Sequence, residues 1–245
     1  RQKSGEFVTN TGTKKRRFRR VESKITAKGA RAIFYRQFLE YKKEKYFIFT
    51  KMTVLSAVVA FIFAYSLQKS VSDSSMAGFI LLGVVAYVAL IMSGYTGKWE
   101  SELKNPYIFL IPDSPLKKMW YATLMEHVKA FADGCIICIP IGIFWHVPVI
   151  EIIYCILIYT VLQADRLYTM VIVQSLLGEV FGKTGQSLLR MFIQMALLGV
   201  GAGVGVLAAV LISQTLIFPI VLIYGLMITV AMGAIALLRF DTMEQ

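Results

Sequence analysis

The stretch LIFPIVLIYGLMITVAMGAIALL, residues 216–238, carries no charged side chain and is long enough to cross a lipid bilayer. A membrane-spanning helix needs about 20 consecutive apolar residues because the hydrocarbon core is about 30 Å thick. The whole chain has this character, since 57% of its 245 residues are hydrophobic, 17% are charged and the mean hydropathy is +0.64. An ordinary soluble domain is excluded, and we predict an all-α integral membrane protein.

Further blocks of this kind lie on the N-terminal side, and together they predict six transmembrane helices. The fourth block is the least regular because it contains Asp165 and Arg166. It either continues as one long helix or breaks near Ala164, and the sequence leaves the conformation of residues 164–190 open. The predicted spans are residues 47–67, 76–95, 128–147, 149–170, 191–212 and 216–238.

The positive charges predict how the spans are oriented. The net charge is +11, and 16 of the 26 lysines and arginines precede Met52. With the N-terminus inside, six spans leave only Lys69 outside, as expected from the excess of Lys and Arg in cytoplasmic loops. We therefore predict a multi-pass protein of the cell membrane with both termini cytoplasmic and with no nucleic-acid partner.

Three segments are predicted along the chain: a basic cytoplasmic leader (1–27), an interfacial elbow helix (28–46) and the transmembrane domain (47–245). The leader is either a solvated linker or a contact for anionic lipid or a cytoplasmic partner. Because the chain starts at Arg1 rather than at Met, we expect it to begin inside a longer polypeptide. The elbow helix is amphipathic, and its apolar stripe is Ile33, Phe34, Phe38 and Tyr41.

The longest inner connection contains an apolar run, Tyr107–Ile111, between Pro106 and Pro112. Such a run in a water-facing loop needs a protein surface or a headgroup layer to cover it. Ser114 followed by Pro115 then predicts the N-cap and first turn of a helix. This run and this helix lie within residues 99–126.

One acidic residue, Asp133, lies well inside a predicted span. Intramembrane carboxylates are candidates for function, but Lys129 lies one turn earlier and pairing with it would be purely structural. Both interpretations stay open, and with Phe131 and Tyr87 this residue forms our speculative substrate path.

Four glycines of the fifth span, Gly199, Gly201, Gly203 and Gly205, form two overlapping small-xxx-small pairs, which predicts close helix packing. The partner helix lies either in this chain or across a dimer. The three tryptophans, Trp99, Trp120 and Trp145, fall near the ends of predicted spans, where we expect them to act as interface anchors.

Catalytic and nucleotide-binding motifs are missing. The segment Gly178–Thr184 resembles a phosphate-binding loop but has three residues between its glycines instead of four. The two histidines, His127 and His146, form no catalytic or metal-binding constellation with other residues. We therefore predict no enzyme activity, no metal site and no cofactor in this chain.

These features together resemble the membrane subunit of a bacterial type-2-like ABC exporter. The segments 30–42 and 103–115 are also similar to the putative ABC exporter group of Gram-positive bacteria. Residues 28–46 match the position of the family's elbow helix, and residues 99–126 match that of a coupling helix between spans 2 and 3. The predicted last outer loop, Ser213 to Thr215, departs from the pattern, since it is too short for the re-entrant helices of some relatives.

The resemblance implies partners: a separate ABC ATPase subunit that binds ATP and magnesium, a second membrane half (a homodimer or a linked half) and the surrounding lipids. It implies export of a hydrophobic or amphipathic substrate, with a peptide such as a bacteriocin or toxin ahead of a lipid or drug. Residues expected to couple to the ATPase are Trp99, Glu102, Asn105, Pro106, Tyr107, Ile108, Phe109, Leu110, Pro112 and Asp113.

Two other functions stay open on the sequence. A proton-coupled secondary transporter would use Asp133 and also Asp165, although such carriers usually bury several ionisable groups. A membrane scaffold or immunity subunit would use its basic leader to recruit a cytoplasmic partner.

Overall fold

The computed structural model of the chain describes residues 27–43, 47, 49, 51–68, 77–94, 98–103, 106–177, 182–211 and 216–244. Every regular element within these ranges is a helix. The predicted leader, except Ala27, lies outside them, as do Lys69 and the predicted loop from Ser213 to Thr215. The helices are α1 (Arg31–Lys43), α2 (Lys51–Leu67), α3 (Ala77–Ser93), α4 (Lys98–Leu103), a 3-10 turn (Pro106–Ile108), α5 (Pro115–Phe144), α6 (Val149–Leu177), α7 (Gly182–Leu211) and α8 (Ile217–Glu244).

Four of these helices, α5 to α8, contain stretches with the length and composition of membrane spans: Pro115–Phe144, Val149–Leu177, Thr184–Leu211 and Ile217–Thr242. They cover the last four predicted spans. The first two predicted spans coincide with α2 and α3, whose apolar parts, Thr53–Leu67 and Ala77–Ser93, are shorter. At 1.5 Å per residue they reach about 22 and 25 Å, less than the hydrocarbon thickness of about 30 Å.

The sixth helix, α6, is the centre of the bundle and packs against α3, α5, α7 and α8. It is continuous from Val149 to Leu177, so the alternative of a break near Ala164 is excluded. In contrast, α7 and α8 carry large exposed apolar side chains along their outer faces, among them Val210, Leu211 and Met227. Those faces are suited to lipid or to another membrane segment.

An apolar core lies at one end of the bundle. There α1, α4, the 3-10 turn and the start of α5 meet the ends of α6 and α8. We refer to this end as the α4 end. Its buried members are Ile33, Trp99, Leu103, Ile108, Met119, Ala122, Leu167, Met170, Val171, Ile172, Ala236 and Phe240. Segments expected as a loop and a surface helix are therefore parts of a packed core.

The fifth helix joins two elements that the sequence analysis separated. It starts at Pro115, as predicted, although Ser114 makes no side-chain capping hydrogen bond. It then continues through Pro140 to Phe144 without interruption. The predicted coupling helix and the predicted third span are thus one helix.

Candidate coupling surface and membrane cavity

Helix α1 is fixed to α5 along one face. Its residues Ile33, Gln37 and Tyr41 recur every four positions and are buried. The Gln37 side-chain amide donates to the carbonyl of Ala122 at 3.0 Å, and the Tyr41 hydroxyl donates to Glu126 at 3.2 Å. The helix is therefore attached to the protein by specific bonds. The predicted stripe is only partly correct, because Phe34 and Phe38 are half-buried and stack on each other.

The N-terminus of α1 is bonded to the proline-bracketed loop. The backbone N–H of Ala30 donates to Asp113 Oδ2 at 3.1 Å, and that of Ser114 donates to Oδ1 at 2.9 Å. These two bonds hold the pKa of the Asp113 carboxyl below its usual value, since they favour its charged form. Gly29 has φ +64°, and a Cβ there would lie 2.8 Å from Asp113 Oδ2, so glycine is needed at this approach.

Helix α4 is held from several sides. Trp99 is completely buried, its indole N–H donates to the Leu167 carbonyl at 3.3 Å, and its ring stacks on Phe240. The same short helix is also fixed by two ion pairs. Arg190 of α7 pairs with Glu100 at 3.5 Å, and Arg36 of α1 pairs with Glu102. Nothing in the sequence pattern indicated these two pairs, because their partners are 90 and 66 positions apart.

The apolar run between the prolines divides into two faces. Ile108 is buried in the core at the α4 end, and the ring of Phe109 lies 5.2 Å from that of Phe240. Lys118 donates to the Phe109 carbonyl at 3.3 Å. On the opposite face, Tyr107 and Leu110 are 68% and 74% exposed. The run therefore presents two large apolar side chains outward from a backbone that is held from within.

The predicted coupling residues separate accordingly. Trp99, Glu102 and Ile108 point inward, Phe109 and Asp113 are half-buried, and Tyr107, Leu110 and Pro112 are exposed. Asn105 and the side chain of Pro106 lie outside the described residues. On the first turns of α5, Leu116 and Trp120 are also exposed, at 58% and 52%. Neither residue is among the predicted coupling residues, although their spacing of four puts them on one side of α5.

A cavity of about 330 Å³ lies among α3, α6, α7 and α8. Its walls are mainly aliphatic and include Leu82, Val161 and Leu222, together with Tyr224. Asp165 is the charged residue that contributes to its lining. A pocket of this volume with apolar walls and few polar groups has the general character of a small-molecule site.

Asp165 is 1% exposed and makes few polar contacts. The Thr229 hydroxyl of α8 lies near this carboxyl group but donates to the Gly225 carbonyl at 2.8 Å. Among the described residues, Asp165 Oδ1 has no hydrogen-bond partner. The adjacent Arg166 turns away and donates to the Met92 carbonyl at 3.0 Å. From the sequence, Asp165 was expected to act only in the proton-coupled alternative. A carboxylate in the middle of an apolar helix would nevertheless have indicated a candidate functional residue.

The predicted substrate-path residues occupy other places. Asp133 is buried and accepts a hydrogen bond from Thr53 of α2, with Lys129 near enough to interact electrostatically. Phe131 is half exposed, and Tyr87 is stacked on Phe63 with ring centroids 4.9 Å apart. None of the three is among the residues that line the cavity.

The four glycines of α7 face two ways. A Cβ at Gly201 would lie 2.9 Å from the Tyr224 ring, and one at Gly205 would lie 3.3 Å from Val221, so this pair packs against α8 of the same chain. Gly199 and Gly203 have nothing within 4 Å of such a Cβ. Gly201 and Gly205 therefore support close helix packing within this chain. Gly199 and Gly203 contact no other helix among the described residues, so a partner helix across a dimer stays open for them.

The expectation that the tryptophans act as interface anchors is wrong for two of the three. Trp99 and Trp145 are not interface anchors but are buried within the chain, at 0% and 5% exposure, whereas Trp120 is exposed. Within the described residues no group of three or more His, Cys, Asp or Glu side chains is placed to hold a metal ion.

One comparison with known proteins assigns the chain to a family. The model of the family described as "Putative ABC exporter" matches residues 1–244 of the chain. The comparisons with curated proteins and with solved structures give no match. Membership of this family and the four long apolar helices identify a membrane component of a transporter, for which an ATPase partner is the general rule. The chain belongs to the putative ABC exporter family.

Proposed function

We propose that this chain is the transmembrane subunit of an ATP-driven exporter of hydrophobic or amphipathic substrates. It acts with a second membrane half and with a separate ATPase subunit, which binds ATP and magnesium. In this proposal α2 and α3 complete a set of six spans, both termini are cytoplasmic, and the α4 end faces the cytoplasm. The substrate path lies among the spans, and peptides are favoured ahead of lipids and drugs.

The observation that carries the proposal is the outward pair Tyr107 and Leu110. Exposed apolar side chains on a cytoplasmic surface are costly unless a partner covers them. Here they are held on a loop whose inner face, Ile108 and Phe109, is packed in the core at the α4 end. A partner that binds this pair therefore acts on a fixed part of the protein.

The connections of the loop account for coupling. Asp113 bonds the loop to α1, Lys118 bonds it to the second turn of α5, and α5 continues unbroken to Phe144. When ATP closes the ATPase pair, the bound loop moves with it. Because α5 packs along the central helix α6, this motion reaches the span bundle as a rigid displacement.

A substitution at Leu110 tests the docking site. Leu110→Glu places a charge where an apolar side chain must be desolvated, so we expect at least a tenfold loss of affinity for the ATPase encoded nearest to this chain, a change of about 1.4 kcal/mol. Leu110→Met keeps the apolar contact and is expected to retain binding. Co-purification of the two subunits from membranes measures both.

Phe109→Glu is the comparison variant, because Phe109 packs on Phe240 in the core. Its substitution is expected to reduce the yield of folded protein, whereas Leu110→Glu is expected to reduce only ATPase binding. Wild-type protein that never associates with the ATPase would contradict the proposal. So would unchanged association of the folded Leu110→Glu variant.

A proton-coupled secondary transporter is the second candidate, and the buried carboxyl group of Asp165 beside the cavity favours it. Such carriers move protons through intramembrane acidic residues. Flux that persists without ATP and collapses with the proton gradient would support this candidate.

A further inference from the structure

We infer that the cavity among α3, α6, α7 and α8 binds a hydrophobic cation, with its charged group at Asp165 and its apolar body between the helices. The role of this site in transport rests on the function proposed above. Binding itself rests on the cavity walls, on the surroundings of Asp165 and on the open space at one glycine.

The cavity walls favour an apolar ligand body. Leucine, valine and isoleucine side chains from α3, α6, α7 and α8 contribute most of the surface. Transfer of apolar surface from water to such a site is favourable by about 25 cal/mol per Å². An ordinary hydrophilic solute gains nothing there and loses its hydration, so the walls exclude it.

The surroundings of Asp165 favour a positive charge. The hydroxyls of Thr229, Tyr168 and Tyr224 are near enough to interact with it. Two of them donate to backbone carbonyls instead, Thr229 to Gly225 and Tyr224 to Leu197. The neighbouring cations are engaged elsewhere, Arg166 with the Met92 carbonyl and Arg190 with Glu100. No cationic side chain of the described residues forms a salt bridge with Asp165.

A buried carboxylate without a cation is expensive in a membrane. A ligand that brings a cation supplies the missing partner, whereas an anionic ligand of the same shape meets repulsion. The site therefore discriminates by charge as well as by hydrophobicity. This refines the substrate class from hydrophobic or amphipathic molecules to those that also carry a positive group.

The glycines of the cavity wall show where space is available. A Cβ at Gly225 would lie 3.0 Å from Val161, so this position is already close-packed. Gly83 also lines the cavity, but a Cβ there would have nothing within 4 Å. A larger side chain at Gly83 can thus enter the cavity without first displacing the protein.

Charge is tested with two ions of nearly the same shape, tetraphenylphosphonium and tetraphenylborate. Binding is measured by equilibrium dialysis on the purified chain in lipid nanodiscs, without an ATPase, after subtraction of empty nanodiscs. We expect saturable binding of the cation, at least about tenfold weaker in Asp165→Asn, the equivalent of 1.4 kcal/mol. Glu151→Gln, a carboxylate of the same helix outside the cavity lining, is the control and is expected to bind like wild type.

Space is tested with a matched pair of glycines. Gly83→Phe fills the cavity and is expected to weaken cation binding while Asp165 is intact. Gly203→Phe has equal room at the substituted position but lies outside the cavity lining, and should bind normally. Each variant is first checked for a monodisperse elution profile, so that the glycine pair decides the matter if Asp165→Asn does not fold.

The inference is overturned if wild type binds both ions alike, if it binds neither, or if folded Asp165→Asn and Gly83→Phe retain wild-type affinity for the cation. Because this assay contains no ATPase, such a failure leaves ATPase co-purification unaffected. Conversely, loss of ATPase association with normal cation binding would contradict the proposed function alone.

Discussion

Arg190→Met is expected to lower the free energy of unfolding by about 3 kcal/mol or more, because it removes the cation from a buried ion pair with Glu100. The two side chains are 3% and 8% exposed, and their ion pair joins α7 to α4 at 3.5 Å. Removing one member of such a pair costs more than the pair itself contributes, since the remaining charge must stay desolvated. Heating of detergent-solubilised protein, followed by size-exclusion chromatography, measures the loss.

Two variants make this result specific. The double substitution Glu100→Gln with Arg190→Met removes both charges and should recover most of the lost stability. Lys117→Met removes an ion pair with Asp113 in which the lysine is 62% exposed, and exposed pairs contribute about 0 to 1 kcal/mol. If Arg190→Met melts like Lys117→Met, the buried pair does not anchor α4.

Trp99→Ala is expected to cost about 3 to 5 kcal/mol, the usual range when a large aromatic side chain is removed from a packed core. The ring is fully buried, stacks on Phe240 and donates a hydrogen bond to Leu167. Since the same core supports the inner face of the loop that carries Tyr107 and Leu110, we also expect weaker association with the ATPase. Both effects are measured on one preparation, by thermal melting and by co-purification.

Trp99→Phe is the matched control, because it keeps an aromatic ring against Phe240 and removes the indole N–H together with part of the ring volume. Its expected cost is smaller than that of the alanine variant, since the lost hydrogen bond contributes about 1 kcal/mol and the cavity left behind is smaller. Equal stability of the alanine and phenylalanine variants would show that the ring does not support the core at the α4 end.

Hydropathy predicted the long spans well because lipid demands long apolar helices and little else. The apolar parts of α5 to α8 follow directly from it. The same criterion could not tell that α5 begins at Pro115 and includes the predicted coupling helix, because its first turns carry charge. Continuity of α6 past Asp165 was equally undecidable, since a buried carboxylate is compatible with a helix or with a break.

The candidate sites were less predictable because they depend on which side chains meet in space. Trp99 and Trp120 are of the same residue type and both were expected to be interface anchors, yet one is buried and the other is exposed. The apolar run from Tyr107 indicated a surface that needs covering, and only the fold shows that Phe109 is covered by α8 while Leu110 is not.

The cavity illustrates the same limit. It is formed by α3 together with the three successive helices α6, α7 and α8, and no local pattern brings Gly83, Val161 and Tyr224 together. Sequence reasoning chose Asp133 because of its depth in a span, whereas the carboxylate beside the cavity is Asp165. Which of the two carboxylates faces the cavity depends on how α5 and α6 are rotated about their own axes, and hydropathy does not specify that rotation.

Photo-cross-linking from Tyr107 tests most directly the central claim that an ATPase docks on the proline-bracketed loop. A benzoylphenylalanine is placed at Tyr107, which is 68% exposed, and separately at Tyr65 in the last turn of α2, which is 74% exposed. Both chains are expressed with the neighbouring ATPase and irradiated in membranes. The account predicts an ATPase adduct from position 107 and none from position 65, and it is contradicted by equal adducts at both positions or by no adduct at 107.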